Sequence, residues 1–187
     1  MRLETERLVL REWREDDKAL YAKVIGDPVV RRFFPGLGTP LDAAMGIERA
    51  RERLKQFGFG FLALERKSDG AFMGMLGMAP FNENIRAAIP GHPEVEIGWQ
   101  IGQQFWGQGY APEGALAMLR FAFGTARLDE VVAITYEGNL PSRRVMEKIG
   151  MVHDPDGSFE HPDVPVGHKL RPHVLYRIRR PVWLARG

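Results

Sequence analysis

A strand that leads into a glycine turn and then into a helix constrains this 187-residue chain more than any other segment. Residues 94–102 alternate in hydropathy and predict a strand, Gly107 and Gly109 follow, and Pro112 opens a predicted helix. Glycines let successive backbone amides face one ligand, and a helix start adds unpaired amides and the positive end of its dipole. The segment therefore predicts an anion site, with a pyrophosphate as the expected ligand.

The glycine turn differs from the two best-known phosphate motifs. It lacks the third spaced glycine and the later acidic residue of the dinucleotide fingerprint, and no Gly-Lys-Ser/Thr follows it. Two glycines by themselves are more typical of an ordinary strand-to-helix connection than of an anion site. The prediction therefore depends on what surrounds the turn.

Hydropathy patterns in the rest of the chain predict the element order β-α-α-β-β-β-α-β-α-β-β, in one domain covering residues 1–187. Short connections favour antiparallel neighbours early on, whereas the later strand–helix–strand crossovers favour parallel ones. Two polar stretches, Phe81–Pro93 and Glu160–Lys169, are predicted to be loops. The predicted strands are Leu8–Trp13, Gly60–Glu65, Ala71–Ala79, Glu94–Gly102, Val131–Thr135, Met151–Phe159 and Arg171–Arg179, and the predicted helices are Glu15–Ile25, Leu41–Phe57, Pro112–Ala126 and Asn139–Ile149.

Composition excludes several classes of site. The chain has no cysteine, so disulfides, thiolate metal sites and cysteine nucleophiles are excluded and a reducing compartment is expected. The net charge is only +2, with basic residues scattered, so a nucleic-acid partner is not expected. No apolar run approaches about 20 residues and the start does not resemble a signal peptide, so we expect a cytoplasmic protein without a membrane partner. No metal is expected.

Three motifs together resemble the GNAT acetyltransferase superfamily. The first is Gln104-x-x-Gly107-x-Gly109-x-Ala111 after a strand reading Glu-Ile-Gly-Trp, and the second is the segment NLPSRRVMEKIGM at 139–151. The opening TERLVLR at 5–11 resembles the branch of ribosomal-protein N-terminal (Rim-type) acetyltransferases. The resemblance covers Leu8 to Arg179. It implies an α/β (α+β) fold with a mixed central sheet of about seven strands, about four flanking helices and a splay between the fourth and fifth strands.

The resemblance also implies acetyl-CoA as co-substrate and assigns residues to it. Amides from Phe105 to Ala111 would hold the pyrophosphate, and the strand residues before them would pair with the pantetheine arm as an added strand. Asn139 would bond the pantetheine amide, cap its helix, or do both. Arg143, Arg144 or Lys148 would meet the 3′-phosphate, unless they are simply solvated. The expected cofactor-binding set is Trp99, Gln100, Ile101, Gln104, Phe105, Trp106, Gly107, Gln108, Gly109, Tyr110, Ala111, Asn139 and Ser142.

Acetyl transfer to an amine requires a proton acceptor for the amine and donors for the thioester oxyanion. Glu96 is the first candidate for the base and Glu94 the second, because alternation puts both on one strand face, where two carboxylates raise each other's pKa. Their alternative role is to bind a cationic substrate. His92 is a weaker candidate. A backbone amide within residues 99–101 would supply the oxyanion donor.

The leaving thiolate raises a separate question. Many superfamily members place a tyrosine as proton donor where this chain has Met146, and methionine cannot donate a proton. Ser142, one turn earlier, is the substitute candidate, with a capping or cofactor hydrogen bond as its alternative role. A coenzyme thiolate can also leave without an acid.

The acceptor amine is left open by the sequence. The branch resemblance favours a protein N-terminal amine, and a small-molecule amine such as an antibiotic or polyamine is the alternative. A domain that binds acyl-CoA without turning it over is the non-enzymatic alternative. The two predicted loops, with Phe33 and Phe34, are expected to line the acceptor cleft. A homodimer is compatible with the sequence, which does not determine the oligomeric state.

Overall fold

A computed structural model describes residues 1–185, which form one mixed sheet of eight strands and six α-helices. The strands are β1 (Arg2–Glu4), β2 (Leu8–Arg11), β3 (Phe61–Arg66), β4 (Phe72–Pro80), β5 (Val95–Ile101), β6 (Glu130–Tyr136), β7 (Val152–Glu160) and β8 (Pro172–Arg179). The helices are α1 (Asp17–Gly26), α2 (Pro40–Phe57), α3 (Glu83–Ala88), α4 (Tyr110–Gly124), α5 (Leu140–Lys148) and α6 (Arg180–Leu184), with a 3₁₀ turn at Gln103–Phe105. No helix in this part of the chain is long and apolar enough to span a membrane.

The strands follow the order β1-β2-β3-β4-β5-β6-β8-β7 across the sheet. β1 to β4 pair as antiparallel neighbours, as do β6 with β8 and β8 with β7. β5 pairs with β6 in parallel, with Glu96 opposite Val132. These are the fourth and fifth strands of the sequence prediction, and the splay between them stays a prediction.

The described residues divide into two compact units, each built from separated stretches of chain. The first unit holds Met1–Ala79 and Gly98–Met118, and the second holds Pro80–Ile97 and the chain from Leu119 onward. Both units draw on β5, so neither is a continuous segment. The prediction of one domain stays a prediction.

The core of the first unit lies where α1 and α2 meet the sheet. The indole of Trp13 donates to the carbonyl of Phe61 at 2.8 Å and its ring lies 5.1 Å from that of Tyr21, which anchors α1 to β3. Small residues on α2 allow the close approach of the two helices. The buried residues of this core are Trp13, Tyr21, Val24, Ile25, Val30, Ala43, Ile47, Ala50 and Ala63.

A buried ion pair joins β2 to the start of α1. Arg11 donates to both carboxylate oxygens of Asp17, at 2.7 and 2.9 Å, and its Nε donates to Glu65 at 2.7 Å. The side chains of Arg11 and Asp17 are only 7% and 3% exposed. Asp17 also accepts from the backbone amide of Arg14 at 2.7 Å. The carboxylate thus fixes the turn from which α1 begins.

The second unit is organised around the antiparallel strands β6, β8 and β7. Arg177 on β8 links its two neighbours, because it donates to Glu130 on β6 at 2.9 Å and to Asp154 on β7 at 2.7 Å. β7 shifts register between Asp154 and Phe159. The apolar cluster of this unit consists of Phe81, Ile89, Val132, Phe159 and Leu175.

The structure confirms the mixed α/β class and the order of all predicted elements. The prediction of a loop throughout 81–93 is wrong, because this stretch contains α3. The six residues of α3 are too few to show a periodic pattern. Asn82, which accepts from the amide of Ile85 at 2.8 Å, is the cap that signals this helix. The short elements β1 and α6 were missed for the same reason of length.

Removing the charge of Asp17 should destabilise the fold. In an Asp17→Asn variant the guanidinium of Arg11 remains buried with a weakened partner, which costs about 3 kcal/mol in the free energy of unfolding. Urea unfolding followed by circular dichroism measures it. Asp16→Asn is the matched control, because Asp16 is exposed and makes no capping bond, and should change stability by less than about 0.5 kcal/mol. Equal losses in both variants would contradict a special role for the ion pair.

Candidate cofactor and catalytic site

The glycine turn adopts the conformation for which its glycines are suited. Gly107 and Gly109 have φ angles of 75° and 80°, in the left-handed region that residues with a Cβ rarely adopt. A Cβ at Gly107 would meet nothing within 4 Å, so this face of the turn is open. Gly107, Gln108 and Gly109 are all exposed. The turn can therefore receive a ligand at its backbone.

The amides of the turn and of the first residues of α4 are available to such a ligand. Within the first unit, no backbone carbonyl accepts a hydrogen bond from the amides of residues 107–111. The first amides of α4 have no intrahelical acceptor, and Pro112 has no N–H to leave unpaired. Phe105 and Trp106 differ, because their amides donate to the carbonyls of Gly102 and Gln103 at 3.0 and 3.1 Å. Sequence reasoning had included both among the amides that bind the pyrophosphate.

Aromatic side chains anchor the turn on its inner side. Phe105 and Tyr110 are buried, and the guanidinium of Arg66 lies 5.2 Å above the ring of Phe105. Trp106 donates from its indole to the carbonyl of Ile101 at 2.8 Å. Gln108 donates from its side chain to the carbonyl of Gln104 at 3.1 Å. The turn is thus held by its side chains while its later amides stay unpaired.

Strand β5 directs its backbone groups alternately to its two edges. Gly74 on β4 approaches the carbonyl of Gln100 so closely that a Cβ there would lie 2.1 Å from that oxygen, and Gly102 donates to Met73 at 2.8 Å. Residues 100 and 102 therefore face β4, and alternation turns the backbone groups of Trp99 and Ile101 to the other edge. Of the three predicted pantetheine partners, Gln100 is thus occupied by β4.

Asn139 is the N-cap of α5. Its side-chain oxygen accepts from the amide of Ser142 at 3.3 Å, and its Nδ2 donates to Thr135 at 2.9 Å and to the hydroxyl of Ser142 at 3.1 Å. The capping role is thus confirmed. Both N–H groups of the amide are engaged, which leaves only its oxygen to accept a bond from a ligand. Met146 on the same helix is buried at 2% exposure.

The two candidate bases occupy different positions. Glu96 lies within β5, half-buried, whereas Glu94 is exposed and precedes the strand. Val95 and Ile97 between and beyond them are buried, so alternation places both carboxylates on the face opposite these apolar residues. His92 is exposed, with a positive φ of 47°, and follows α3 in a polar loop.

The second predicted loop contains one member of a pair of neighbouring histidines. His161 follows β7 directly and His173 belongs to β8; their rings lie 4.7 Å apart, and His173 donates from Nδ1 to the carbonyl of Arg171 at 3.0 Å. Burial lowers the pKa of His173 to about 4, against the opposing effect of that hydrogen bond and with a further decrease from His161. Both rings are thus neutral at pH 7, and neither supplies a charge to a substrate.

The depressed pKa of His173 predicts a pH-dependent stability. Between pH 6.5 and about 4 the unfolded chain binds a proton that the folded chain does not, so the free energy of unfolding falls as the pH falls through this window. Wild type should lose about 1 kcal/mol more than a His173→Phe variant between pH 7 and 4.5, less than the full shift because the ring is partly exposed. Urea unfolding at several pH values measures this. His92→Phe, at an exposed position, should retain the wild-type slope, and parallel slopes for all three proteins would contradict the assignment.

Comparison with known proteins identifies the family. The model for the acetyltransferase (GNAT) domain matches residues 7–152. YkkB from Bacillus subtilis (strain 168) is 31% identical over 151 residues, which cover 80% of this chain and 84% of that protein. The FsC-acetyl coenzyme A-N(2)-transacetylase of Aspergillus fumigatus is 36% identical over 119 residues, which cover 63% of this chain and 49% of that protein.

Solved structures agree with the family match. An acetyltransferase from Agrobacterium tumefaciens superposes with a TM-score of 0.76 at 26% identity, covering 96% of this chain and 94% of that one. Rim-type acetyltransferases share the fold: RimJ from Mycobacterium smegmatis, solved with CoA-disulfide, gives a TM-score of 0.70 at 19% identity and covers 93% and 82% of the two chains. The family model covers well over half of the sequence. This chain therefore belongs to the GNAT family of acetyltransferases, enzymes that use acetyl-CoA.

Proposed function

We propose that this chain transfers an acetyl group from acetyl-CoA to a primary amine, by direct attack of the amine within a ternary complex. The observation that carries the proposal is the set of unpaired amides at residues 107–111. These unpaired N–H groups and the positive end of the α4 dipole both favour the binding of an anion at the start of the helix. A pyrophosphate, with two adjacent anionic groups, matches several convergent N–H donors.

The structure narrows the residues proposed for the cofactor. The amides of residues 107–111 would bind the pyrophosphate, without the already bonded amides of Phe105 and Trp106. Trp99 and Ile101 would pair with the pantetheine arm, because their backbone groups face away from β4. The carbonyl of Ile101 already accepts from the indole of Trp106, so Ile101 offers its N–H and the second acceptor position of that carbonyl. Asn139 would accept one bond at its side-chain oxygen.

The proposed chemistry assigns the proton of the amine to Glu96. The amine nitrogen attacks the thioester carbon, a C–N bond forms, and the carbonyl oxygen becomes an oxyanion that the amide of Trp99 stabilises. Glu96 accepts the proton lost by nitrogen. The oxyanion then collapses, the C–S bond breaks, and the coenzyme leaves as a thiolate. Glu96 is preferred to Glu94 because it is half-buried within β5, where a carboxylate is held in place.

Ser142 is proposed as the donor to the departing thiolate. The hydroxyl oxygen of Ser142 already accepts from Nδ2 of Asn139 at 3.1 Å, so the hydroxyl proton is available for donation to another acceptor. Its half-buried position on the first turn of α5 supports this role. The hydroxyl contributes to rate only if the thiolate does not leave unassisted.

For the acceptor, the opening residues 5–11 support a protein N-terminal amine, in line with their resemblance to the Rim-type branch. A small-molecule amine is the second candidate, supported by the FsC transacetylase of Aspergillus fumigatus among the relatives. A screen of peptides with free N-termini, polyamines and antibiotic amines, with acetyl-CoA as donor and thiol release as readout, distinguishes the two. If no amine of any class supports thiol release, the proposed function is contradicted.

A methyl group at Gly107 should block the pyrophosphate. Gly107→Ala places a Cβ on the open face of the turn, and we expect the Kd for coenzyme A to rise about tenfold, roughly 1.4 kcal/mol of binding free energy. Isothermal titration calorimetry measures this. Gly58→Ala is the matched control, because Gly58 has a φ of 77° and equally open surroundings but ends α2. Both variants should lose about 1 kcal/mol of stability, and only the first should lose affinity. Unchanged affinity in Gly107→Ala would count against the turn as the pyrophosphate site.

Replacing Glu96 by glutamine should slow turnover without weakening cofactor binding. The expected loss in kcat at neutral pH is about a hundredfold, since a general base contributes about 10² to 10⁴. The loss should shrink as the pH approaches the ordinary pKa of the amine, about 8 for a protein N-terminus and about 10 for an alkylamine, because more of the amine is then already neutral. Thiol release across a pH series measures it. Glu94→Gln is the control, with less than about a threefold change expected at an exposed position. A larger loss in the control would assign the base to Glu94.

A further inference from the structure

The hairpin between β1 and β2 contacts the start of α4 through two polar side chains that the proposed chemistry does not use. Arg7 donates from Nε to the carboxylate of Glu113 at 2.7 Å, and its NH2 group lies 2.5 Å from the same oxygen. Thr5 donates to the other carboxylate oxygen at 2.5 Å, and the backbone amide of Arg7 donates there at 3.0 Å. Glu113 lies in the first turn of α4, beside the glycine turn.

The same guanidinium also contacts the glycine turn itself. Its NH1 group donates to the carbonyl of Gln108 at 3.0 Å, and its carbon lies 4.5 Å from the ring centre of Tyr110. A Cβ built on Gly109 would lie 3.5 Å from NH2 of Arg7. Arg7 therefore lies against the turn on the side to which the carbonyl of Gln108 points.

The planarity of the peptide group gives this contact a consequence. In a trans peptide the carbonyl of Gln108 and the N–H of Gly109 point in opposite directions. By holding the carbonyl, Arg7 turns the N–H of Gly109 to the opposite face of the turn. Glu113 in turn holds the guanidinium by accepting from two of its nitrogens. The orientation of the peptide therefore depends on the whole series of contacts from Thr5 to Glu113, Arg7 and Gln108.

We propose that Arg7 is a positioning residue for the cofactor, which orients the peptide between Gln108 and Gly109 so that its N–H faces the pyrophosphate, and that Glu113 holds Arg7 in this role. The inference depends on the proposed function, because it concerns the same turn. Arg7 belongs to the opening segment TERL, which the family resemblance singles out. The contact could not be predicted from the sequence, because more than 100 residues separate this segment from the turn.

The contacts of the guanidinium favour positioning over direct binding of phosphate. Nε and NH2 face the carboxylate of Glu113 and NH1 donates to a carbonyl, so three of the five N–H groups have partners within the protein. These bonds fix the guanidinium against the turn, and a phosphate ligand could use only the two remaining N–H groups. Arg7 is also 44% exposed, so the ion pair with Glu113 contributes little to global stability and its loss should be felt locally.

The test compares binding of coenzyme A with turnover of a donor that lacks the pyrophosphate. In Arg7→Gln we expect the Kd for coenzyme A, from calorimetry, and the KM for acetyl-CoA to rise about tenfold, with kcat at saturation within about twofold of wild type. With S-acetylpantetheine as donor, kcat/KM should equal that of wild type. Arg7→Lys retains the charge but lacks the planar, rigid set of donors that spans the carboxylate and the carbonyl, so it should show most of the loss.

The sign of the effect in Glu113→Gln provides a second, independent readout. Removing a negative charge beside an anion site should tighten coenzyme A binding if only electrostatics matters, or if the released Arg7 binds phosphate directly. Positioning predicts weaker binding instead, because Arg7 loses its anchor. Tighter binding in this variant would overturn the inference.

Controls separate the possible failures. Arg2→Gln removes an exposed ion pair with Glu4 from the same hairpin and should leave the Kd unchanged. If Arg7→Gln binds coenzyme A as wild type does, or if it loses activity equally with S-acetylpantetheine, the inference fails while the proposed function stands. If wild type itself shows no binding of coenzyme A, the proposed function fails.

Discussion

The chemistry that we propose depends on backbone amides that donate no hydrogen bond to a backbone carbonyl of their own unit. The amides of residues 107–111 have no backbone acceptor within their unit, although an unpaired buried amide is costly and is rarely found. The conflict is avoided in the turn itself, because Gly107, Gln108 and Gly109 are exposed, and it is the following residues that are buried (Tyr110) or half-buried (Ala111). Their remaining N–H capacity is available to a ligand, and a helix dipole favours a negative one.

Holding such a turn in place requires contacts that do not use its amides. The chain supplies them from side chains, through the buried rings of Phe105 and Tyr110, the indole of Trp106 and the guanidinium of Arg7. Glu113 brings a negative charge close to a site for an anion. Burial alone would raise the pKa of this carboxyl, but hydrogen bonds from Thr5 and Arg7 hold it below its ordinary value. The carboxylate is thus ionised, and the charge of Arg7 compensates it.

In the second unit a single side chain makes several hydrogen bonds at the start of α5. One amide side chain, that of Asn139, caps the helix, bonds to Thr135 on β6 and orients the hydroxyl of Ser142. With three contacts made inside the protein, it has one acceptor position left for a ligand. A side chain held by three contacts is well fixed in position, which suits the proposed contact of Asn139 with a flexible pantetheine arm.

Local patterns were sufficient for most of the secondary structure and for the turn. Alternation in residues 94–102, the two glycines and Pro112 predict strand, turn and helix because these preferences act within a few residues. The same reasoning failed for α3 and β1, which are too short to show a period. It also included Phe105 and Trp106 among the available amides, because a 3₁₀ turn consumes them without leaving a mark in the sequence.

The sequence by itself determined the element order, the family resemblance and the identity of the residues that can carry charge or donate protons. Only the tertiary structure decided which of them meet. Arg7 contacts Glu113 across more than 100 residues, and Gly74 approaches Gln100 from a neighbouring strand. Such contacts follow from strand order and register, which depend on the packing of the whole sheet and not on local preference. For this reason the glycine turn that we propose as the anion site could be predicted from one short segment, whereas its contact with Arg7 could not.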